Sequence, residues 1–272
     1  MSAVTVRTLR DAVDDAAAVL ERAGCDTPRL DAELLAAAAV GVERERIHID
    51  GALPLAPEAG AAIAALVGRR AAREPVAYIL GRRAFRRLDL LVDPRVLVPR
   101  PETELLVEVA VEFPQGSHVH DVGTGSGAVA LAIKDERPDL VVTASDASPG
   151  AVEVARTNAA RLGLDVDMAC GSGLPPAASG ADLVVANLPY VAEDEWAGLE
   201  PEITRYEPRE ALVAGASGLE AIADVVGSAA PGTSLALEHA PWQAAAVRGM
   251  LRDAHARLDL AGRERVTLGR VP

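Results

Sequence analysis

The sequence predicts an α/β fold: a mostly parallel sheet covered by helices on both faces, closed by a C-terminal antiparallel hairpin and preceded by a small helical domain. Three observations predict it. From residue 102 onward, apolar strand-like runs alternate with segments of helical periodicity, the pattern of parallel strands joined by crossover helices. Residues 1–74 show helical periodicity alone. The length, 272 residues, accommodates one large domain beside a small one.

The elements follow in chain order. Leu9, Val13, Ala16 and Leu20 recur on one helical face, and Gly24 stops that helix. Thr27 as N-cap and Pro28 in the first turn open a second helix through Leu34, Leu35 and Ala38, closed by Gly41. Pro57 opens a third, carrying Ile63, Leu66 and Val67 to about Arg73. Residues 75–101 are punctuated by Glu74-Pro75, Gly81, Asp93-Pro94 and Pro99-Arg100-Pro101 around the β-like runs Arg87–Val92 and Val96–Val98. They read as a linking hairpin.

Over residues 102–272 the expected order is helix Glu102–Phe113, strand Val119–Val122, helix Ala128–Asp135, strand Leu140–Ser145, helix Pro149–Leu162 and strand Val166–Cys170. Strand Asp182–Ala186, a helix Leu219–Ala229, strand Ser234–Glu238, a helix Trp242–Ala254 and a hairpin of Ala256–Leu260 with Arg265–Leu268 complete it. In such sheets ligands sit beyond the carboxyl ends of the strands, at the point where strand order reverses.

Composition narrows the function. Basic residues number 27 against 40 acidic, a net charge of −13, which disfavours gripping a nucleic acid by its phosphates. Cys25 and Cys170 lie far apart, which rules against a disulfide scaffold or a cysteine zinc site and reads as two small buried hydrophobes; no metal is expected. No apolar run approaches the length that crosses a bilayer, and Arg7 and Arg10 lead into Asp11, Asp14 and Asp15 rather than an apolar leader. The expected location is the cytoplasm, with no membrane partner.

Three segments carry chemistry. Asp121-Val-Gly-Thr-Gly-Ser-Gly127 follows the first strand of the alternating region; Gly123, Thr124, Gly125, Ser126 and Gly127 bring backbone N–H groups close to a ligand at a helix N-terminus. The turn alone does not separate a nicotinamide-type cofactor from another nucleoside-bearing one. Asp146 ends the second strand, 23 residues beyond Gly123, where a carboxylate accepts hydrogen bonds from ribose hydroxyls; a helix-capping role beside Ser148 competes. Asn187-Leu188-Pro189-Tyr190 follows the fourth strand. The Asn187 side-chain carbonyl and an adjacent backbone carbonyl offer two acceptors for an –NH2 group, and Tyr190 a flat face. His239 beside Glu238 reads as packing rather than a dyad, Trp242 as a helix anchor, and Glu193 to Glu195 with Glu200 and Glu202 as a solvated face or one that meets a basic surface.

The sequence resembles the protein-(glutamine-N5) methyltransferases of peptide chain release factors, the HemK/PrmC family, over nearly its full length. The resemblance rests on Glu74-Pro-Val-Ala-Tyr-Ile-Leu-Gly81, Val98-Pro-Arg-Pro-Glu-Thr-Glu104, the glycine-rich turn, Asn187-Leu-Pro-Tyr190, Tyr206-Glu-Pro208 with Ala211-Leu212, Glu238-His239 and Arg265-Val-Thr-Leu-Gly269. It implies a class I, Rossmann-like methyltransferase that uses S-adenosylmethionine and takes a release factor as protein substrate. It further implies that Gly123 to Gly127 cradle the methionine moiety, that Asp146 holds the ribose, and that Asn187 to Tyr190 bind the substrate amide with Asn187 also near the cofactor. Phe85 falls at an aromatic position against the methyl-transfer pocket, and the N-terminal helices form the substrate-docking domain. The sequence departs from the family at Leu188, where a proline is usual, at Cys170-Gly-Ser-Gly173, which lacks the usual adenine-covering side chain, and at Arg86-Arg87. The alternatives weighed are an amino-group methyltransferase on another protein or nucleic acid, an NAD(P)-dependent oxidoreductase, and a non-catalytic adaptor on the same fold.

Overall fold

A computed structural model describes residues 7–178 and 180–272, and these divide into two units. The smaller holds the described residues up to Gly81 together with Pro201–Tyr206. Helix α1 (Leu9–Arg22) starts at a capping box: the Asp11 N–H donates to the Thr8 hydroxyl at 3.2 Å and the Thr8 N–H to the Asp11 carboxylate at 2.9 Å. Its expected apolar face, Leu9, Val13, Ala16 and Leu20, is buried. Helix α2 (Pro28–Val40) ends at Gly41 with φ 71°. Thr27 does not cap it through a backbone N–H as expected; its hydroxyl donates to Asp31 at 2.8 Å.

Helices α3 (Arg44–Ile49) and α5 (Val76–Leu80) were not expected. The first buries only Ile47, so it leaves no periodic signal. The second is a single turn of largely β-branched and aromatic residues between Pro75 and Gly81 (φ 70°), within the stretch read as a hairpin. Helix α4 (Pro57–Ala71) matches its proline-opened pattern. Helix α9 (Pro201–Tyr206) also belongs to this unit, and its Glu202 answers the buried Arg70 and the partly buried Arg73. Arg70 pairs with Asp31 at 2.7 Å and with Glu202 at 2.7 Å, and Arg73 pairs with Glu202 at 2.5 Å. Glu202 is therefore no part of a solvated acidic face.

The larger unit begins with an antiparallel hairpin, β1 (Arg82–Phe85) and β2 (Leu88–Leu91). The expected strand Val96–Val98 does not form. Pro94 and Pro99 bracket it, the Val96 N–H turns back to the Asp93 carbonyl, and the Val98 N–H is taken by the Glu207 carboxylate at 3.2 Å. At the hairpin turn Arg86 adopts φ 51°, its N–H held by Glu104 and its guanidinium by Glu136 at 2.8 Å. A 3₁₀ turn, Pro101–Thr103, then leads into α6 (Glu104–Val111).

Seven strands follow: β3 (His118–Val122), β4 (Val141–Asp146), β5 (Asp167–Cys170), β6 (Leu183–Ala186), β7 (Ser234–Glu238), β8 (Arg252–Leu258) and β9 (Glu264–Arg270). They lie in the order β5-β4-β3-β6-β7-β9-β8, with β9 antiparallel to both neighbours and the first five strands parallel. Helices α7 (Ala128–Glu136), α8 (Pro149–Leu162), α10 (Glu220–Ser228) and α11 (Ala244–Gly249) cover the sheet. Along β6, Leu183 and Val185 join one apolar cluster with Leu106, Leu131 and Ile133, while Val184 and Ala186 join another with Ile222 and Leu237. That alternation shows both faces buried.

The last expected helix, Trp242–Ala254, is shorter. It opens as the 3₁₀ turn Pro241–Gln243, its α-helical part stops at Gly249, and Arg252 already pairs in the sheet. Trp242 is 71% exposed and anchors nothing. Cys25 is buried as expected, but Cys170 is exposed at the strand end. Among the described residues no helix is long and apolar enough to cross a membrane.

Candidate functional site

Strand order reverses between β3 and β6, which are adjacent and parallel, with Val122 level with Ala186. The next residues on each strand are Gly123 and Asn187. Both turns therefore leave the same sheet edge side by side, over a cavity of about 640 Å³, within the range of small-molecule sites. Gly123, Thr124, Gly125, Ser126, Asp146, Asn187, Leu188 and Pro189 all line it.

The glycine-rich turn is built by its own backbone. Gly123 (φ 72°) and Gly125 (φ 56°) take conformations that side chains rarely adopt. The Gly123 and Thr124 N–H groups donate to the Ser145 carbonyl at 2.8 and 3.0 Å. Asp121 secures the turn from below, accepting from the Thr124 hydroxyl at 2.6 Å and the Ala130 N–H at 3.2 Å. Burial pushes its pKa up to about 7. Beside it His120, fully buried, is hydrogen-bonded to Thr143 at 2.7 Å and Ser145 at 3.0 Å, and burial lowers its pKa to about 4. Gly127 does not line the cavity: a Cβ there would lie 2.9 Å from Leu131 and 3.3 Å from Ala155, so this glycine lets α7 close against its neighbours.

Asp146 braces the glycine-rich turn and the start of α8. One oxygen accepts from the Gly125 N–H at 2.9 Å and the other from the Ser148 N–H at 2.8 Å, while Ser148 itself caps α8 through Ala151. The carboxylate still lines the cavity, and each oxygen has lone-pair capacity left for a ligand hydroxyl. Its pKa is raised by burial, against the pull of the two N–H donors.

Asn187 donates its Nδ2–H to the Thr103 hydroxyl at 3.0 Å, which leaves Oδ1 as a free acceptor. Leu188 is buried in the apolar cluster beneath, and its Cδ2 lies 3.3 Å from where a Gly123 Cβ would stand. Packing thus holds this residue, where a proline ring would hold it by its fixed φ. Tyr190 lies outside the cavity lining. Its carbonyl accepts from Gln243 Nε2 at 2.9 Å, and burial together with Glu238 raises its pKa. Phe85 also lies outside, 2% exposed in the sheet core with Leu88 and Leu90. His239 is packing: Nδ1–H donates to the Ala240 carbonyl at 2.9 Å, and Nε2 accepts from Thr267 at 2.8 Å.

Several site residues were not read from the sequence. Arg95, Val96 and Leu97 line the cavity from the loop after the hairpin, and Asp224, Val225 and Ser228 line it from α10. Glu207 grips the Val98-Pro-Arg-Pro101 segment, accepting from the Val98 N–H and pairing with Arg100. Asn158 on α8 donates to the Leu91 and Ser126 carbonyls at 2.9 Å each and accepts from the Leu91 N–H at 2.8 Å, tying the hairpin to the glycine-rich turn. Thr103 and Glu207 fall in motifs noted for the resemblance, which was their one available signal.

The chain matches the model of the PrmC N-terminal domain over residues 11–81 and that of the methyltransferase small domain over 101–202. It is 41% identical to the release factor glutamine methyltransferase of Mycolicibacterium smegmatis, over 97% of this chain and 98% of that one. The enzyme of the same name from Geobacter sulfurreducens is 38% identical over 97% of both. Among solved structures, the catalytic domain of hMettl16, in complex with a MAT2A 3′UTR hairpin, superposes with a TM-score of 0.54 at 15% identity. It covers 75% of this chain and 80% of that one, and shows the fold alone. With relatives of this identity spanning its whole length, the chain belongs to the release factor glutamine methyltransferase family.

Proposed function

We propose that the cavity beyond β3 and β6 is where a methyl donor and a substrate carboxamide meet. The enzyme is an S-adenosylmethionine-dependent methyltransferase that methylates the side-chain amide nitrogen of a glutamine in a peptide chain release factor. One observation carries the assignment of residues: the glycine-rich turn and Asn187 leave adjacent strand ends and line a single cavity. This arrangement answers the oxidoreductase reading, because the second turn brings an amide-binding pair and no group suited to hydride chemistry.

The residues present fit the donor. Gly123 and Gly125 leave the turn without side chains where a ligand approaches, and Asp146 faces the cavity with acceptor capacity. S-adenosylmethionine, when bound, supplies a sulfonium methyl group with a neutral thioether as leaving group. Gly123 to Ser126 would hold its methionine part and Asp146 its ribose. Gly171, Ser172 and Gly173 line the cavity without a covering side chain; Val96 and Leu97 add apolar surface to the same lining.

An amide nitrogen is a weak nucleophile because its lone pair is delocalised into the carbonyl, so alignment is the main task. Asn187 Oδ1 and the Leu188 carbonyl accept the two N–H bonds of the substrate amide. They favour positive charge on nitrogen as it develops, and fixed positioning of this kind contributes up to about 7–11 kcal/mol in ideal cases. No strong base is needed, since the methylated amide loses its proton after transfer. Tyr190 supports the loop through its backbone, and Pro189 holds Leu188 extended.

The N-terminal helices, residues 1–74, are proposed to dock the protein substrate, with 75–101 as the link to the methyltransferase domain, 102–272. The net charge of −13 supports a protein substrate over direct nucleic-acid binding, and the cytoplasm is the proposed location. Replacing Asn187→Ala tests the assignment: mass spectrometry of a release factor should show loss of the single added methyl on glutamine, with S-adenosylmethionine affinity retained. Full turnover by this variant would falsify it.

A further inference from the structure

The cofactor proposed above has three parts in a row: methionine, ribose and adenine. With the methionine at the glycine-rich turn and the ribose at Asp146, the adenine falls on the far side of Asp146, away from β3. There the sheet continues to β5, where Cys170 is level with Asp146. The next residues, Gly171, Ser172 and Gly173, line the cavity, and the Gly171 N–H donates to the Asp146 carbonyl at 2.9 Å. This segment offers the base a single hydroxyl. A hydroxyl both donates and accepts, so Ser172 does not tell an amine on a purine from a carbonyl.

Helix α10 supplies what the segment lacks. Its Val225 shares an apolar cluster with Leu174, the residue after Gly173, and with Leu188, which sets α10 beside this end of the cavity. Asp224 and Ser228, one helical turn apart, both line the cavity. Asp224 is exposed, and its carboxylate takes no hydrogen bond or ion pair from any described residue. The Ser228 hydroxyl donates to the Asp224 carbonyl at 2.8 Å, with the Val225 carbonyl at 3.2 Å. Its proton is thus committed to the helix, and only lone pairs remain for a ligand.

Two acceptors on one helix face suit a group that only donates. On adenine that group is the exocyclic –NH2; the deaminated base carries a carbonyl at the same carbon and would face acceptor to acceptor. We propose that Asp224, with Ser228 as a second acceptor, is a cofactor-binding residue that reads the adenine amino group and makes the site reject a deaminated cofactor; this rests on the cofactor proposed above. Sites built to hydrogen-bond one group reject analogues that lack it, because their own polar atoms are then left unpaired.

Calorimetry on the full chain tests it with two ligands, S-adenosylhomocysteine and S-inosylhomocysteine, which carry an amine or a carbonyl at that purine carbon. Neither has a methyl group to transfer, so binding is read without turnover. The wild type should prefer the adenosyl ligand by roughly tenfold or more, the worth of a hydrogen bond to a charged group. Asp224→Ala, at an exposed helical position where alanine is well tolerated, should keep the melting temperature and shrink that preference to about threefold or less. In Asp224→Asn the side-chain amide can turn and donate to a carbonyl, so S-inosylhomocysteine should bind more tightly than it does to the wild type while S-adenosylhomocysteine binds less tightly. The same preference in the wild type and Asp224→Ala overturns the proposal, as does an Asp224→Asn protein that weakens both ligands equally; either result leaves the cofactor assignment standing. A wild type that binds neither ligand overturns the cofactor assignment and this inference with it.

Discussion

Gly218 offers the sharpest test of how the acceptor loop is held. It sits at φ 73°, and a Cβ there would lie 2.8 Å from Gln243 Nε2, 3.0 Å from the Tyr190 carbonyl carbon and closer still to the Tyr190 oxygen. Carbon atoms rest at about 3.5–4.0 Å, so in Gly218→Ala the Tyr190 carbonyl must retreat by roughly 0.5–1 Å. A side chain in the left-handed region costs about 1–2 kcal/mol. The shift also strains the bonds from Gln243 Nε2 to Tyr190 (2.9 Å) and Gly218 (3.3 Å), each worth ~1 kcal/mol. The sum, roughly 2–4 kcal/mol, corresponds to a melting temperature about 4–16 °C lower. Because Tyr190 follows Asn187-Leu188-Pro189 directly, turnover should fall by up to ~10²-fold, the penalty of a misplacement near 1 Å. Differential scanning calorimetry and release-factor methylation rates at saturating cofactor check both. Gly227→Ala is the control: no atom lies within 4 Å of its Cβ and it sits in α10, so it should gain about 0.5–1 kcal/mol. A Gly218→Ala protein that melts and turns over like wild type would refute the reasoning.

Asp121 titrates up to about 7 from 3.8, so its contribution is full below pH 3.8 and declines as pH rises through 7. Asp121→Asn should therefore gain stability relative to wild type across that window, by up to roughly 4 kcal/mol; equal urea-midpoint differences at pH 4.5 and 7.5 would contradict this. His120 titrates down to about 4 from 6.5. It has the opposite slope, losing stability as pH falls from 6.5 to 4, and Asp121→Asn should make that acid-side loss more visible. Asn158→Leu removes three hydrogen bonds between α8, the hairpin and the glycine-rich turn. It should cost roughly 2–4 kcal/mol and weaken cofactor binding, measured by calorimetry; unchanged affinity counts against the coupling. Glu202→Gln removes the carboxylate that Arg70 and Arg73 share in the smaller unit, leaving Arg70 its bond to Asp31, at a cost of ~3–5 kcal/mol. Hydrogen exchange in α4 reports it, and unaltered protection there would show that Asp31 suffices.

The sheet was legible because each parallel strand is a short apolar run bounded by turn residues, and β7 and α8 fall where the pattern puts them. The cavity's two facing turns were legible for the same reason: strand ends locate them. What failed was held by tertiary partners. Val96–Val98 looks like a strand, but its N–H groups go to Asp93 and Glu207. Helix α5 has strand-like composition and is set by Pro75 and Gly81. Phe85 and Tyr190 were assigned by motif position, yet their side chains lie outside the cavity lining. Thr103 carries no local signal for its link with Asn187, since 84 residues separate the two.

The return of Pro201–Tyr206 to the smaller unit bears on synthesis. Arg70 and its partner Glu202 are 132 residues apart, so at ~5–20 residues per second the ribosome spends about 7–26 s between them. For that interval the nascent helices have their apolar face and the Arg70–Asp31 pair, but not yet the Glu202 carboxylate that Arg70 and Arg73 share. The N-terminal unit reaches its final form only after most of the methyltransferase domain has been translated, and a peptide ending at Gly81 would reproduce the unfinished state.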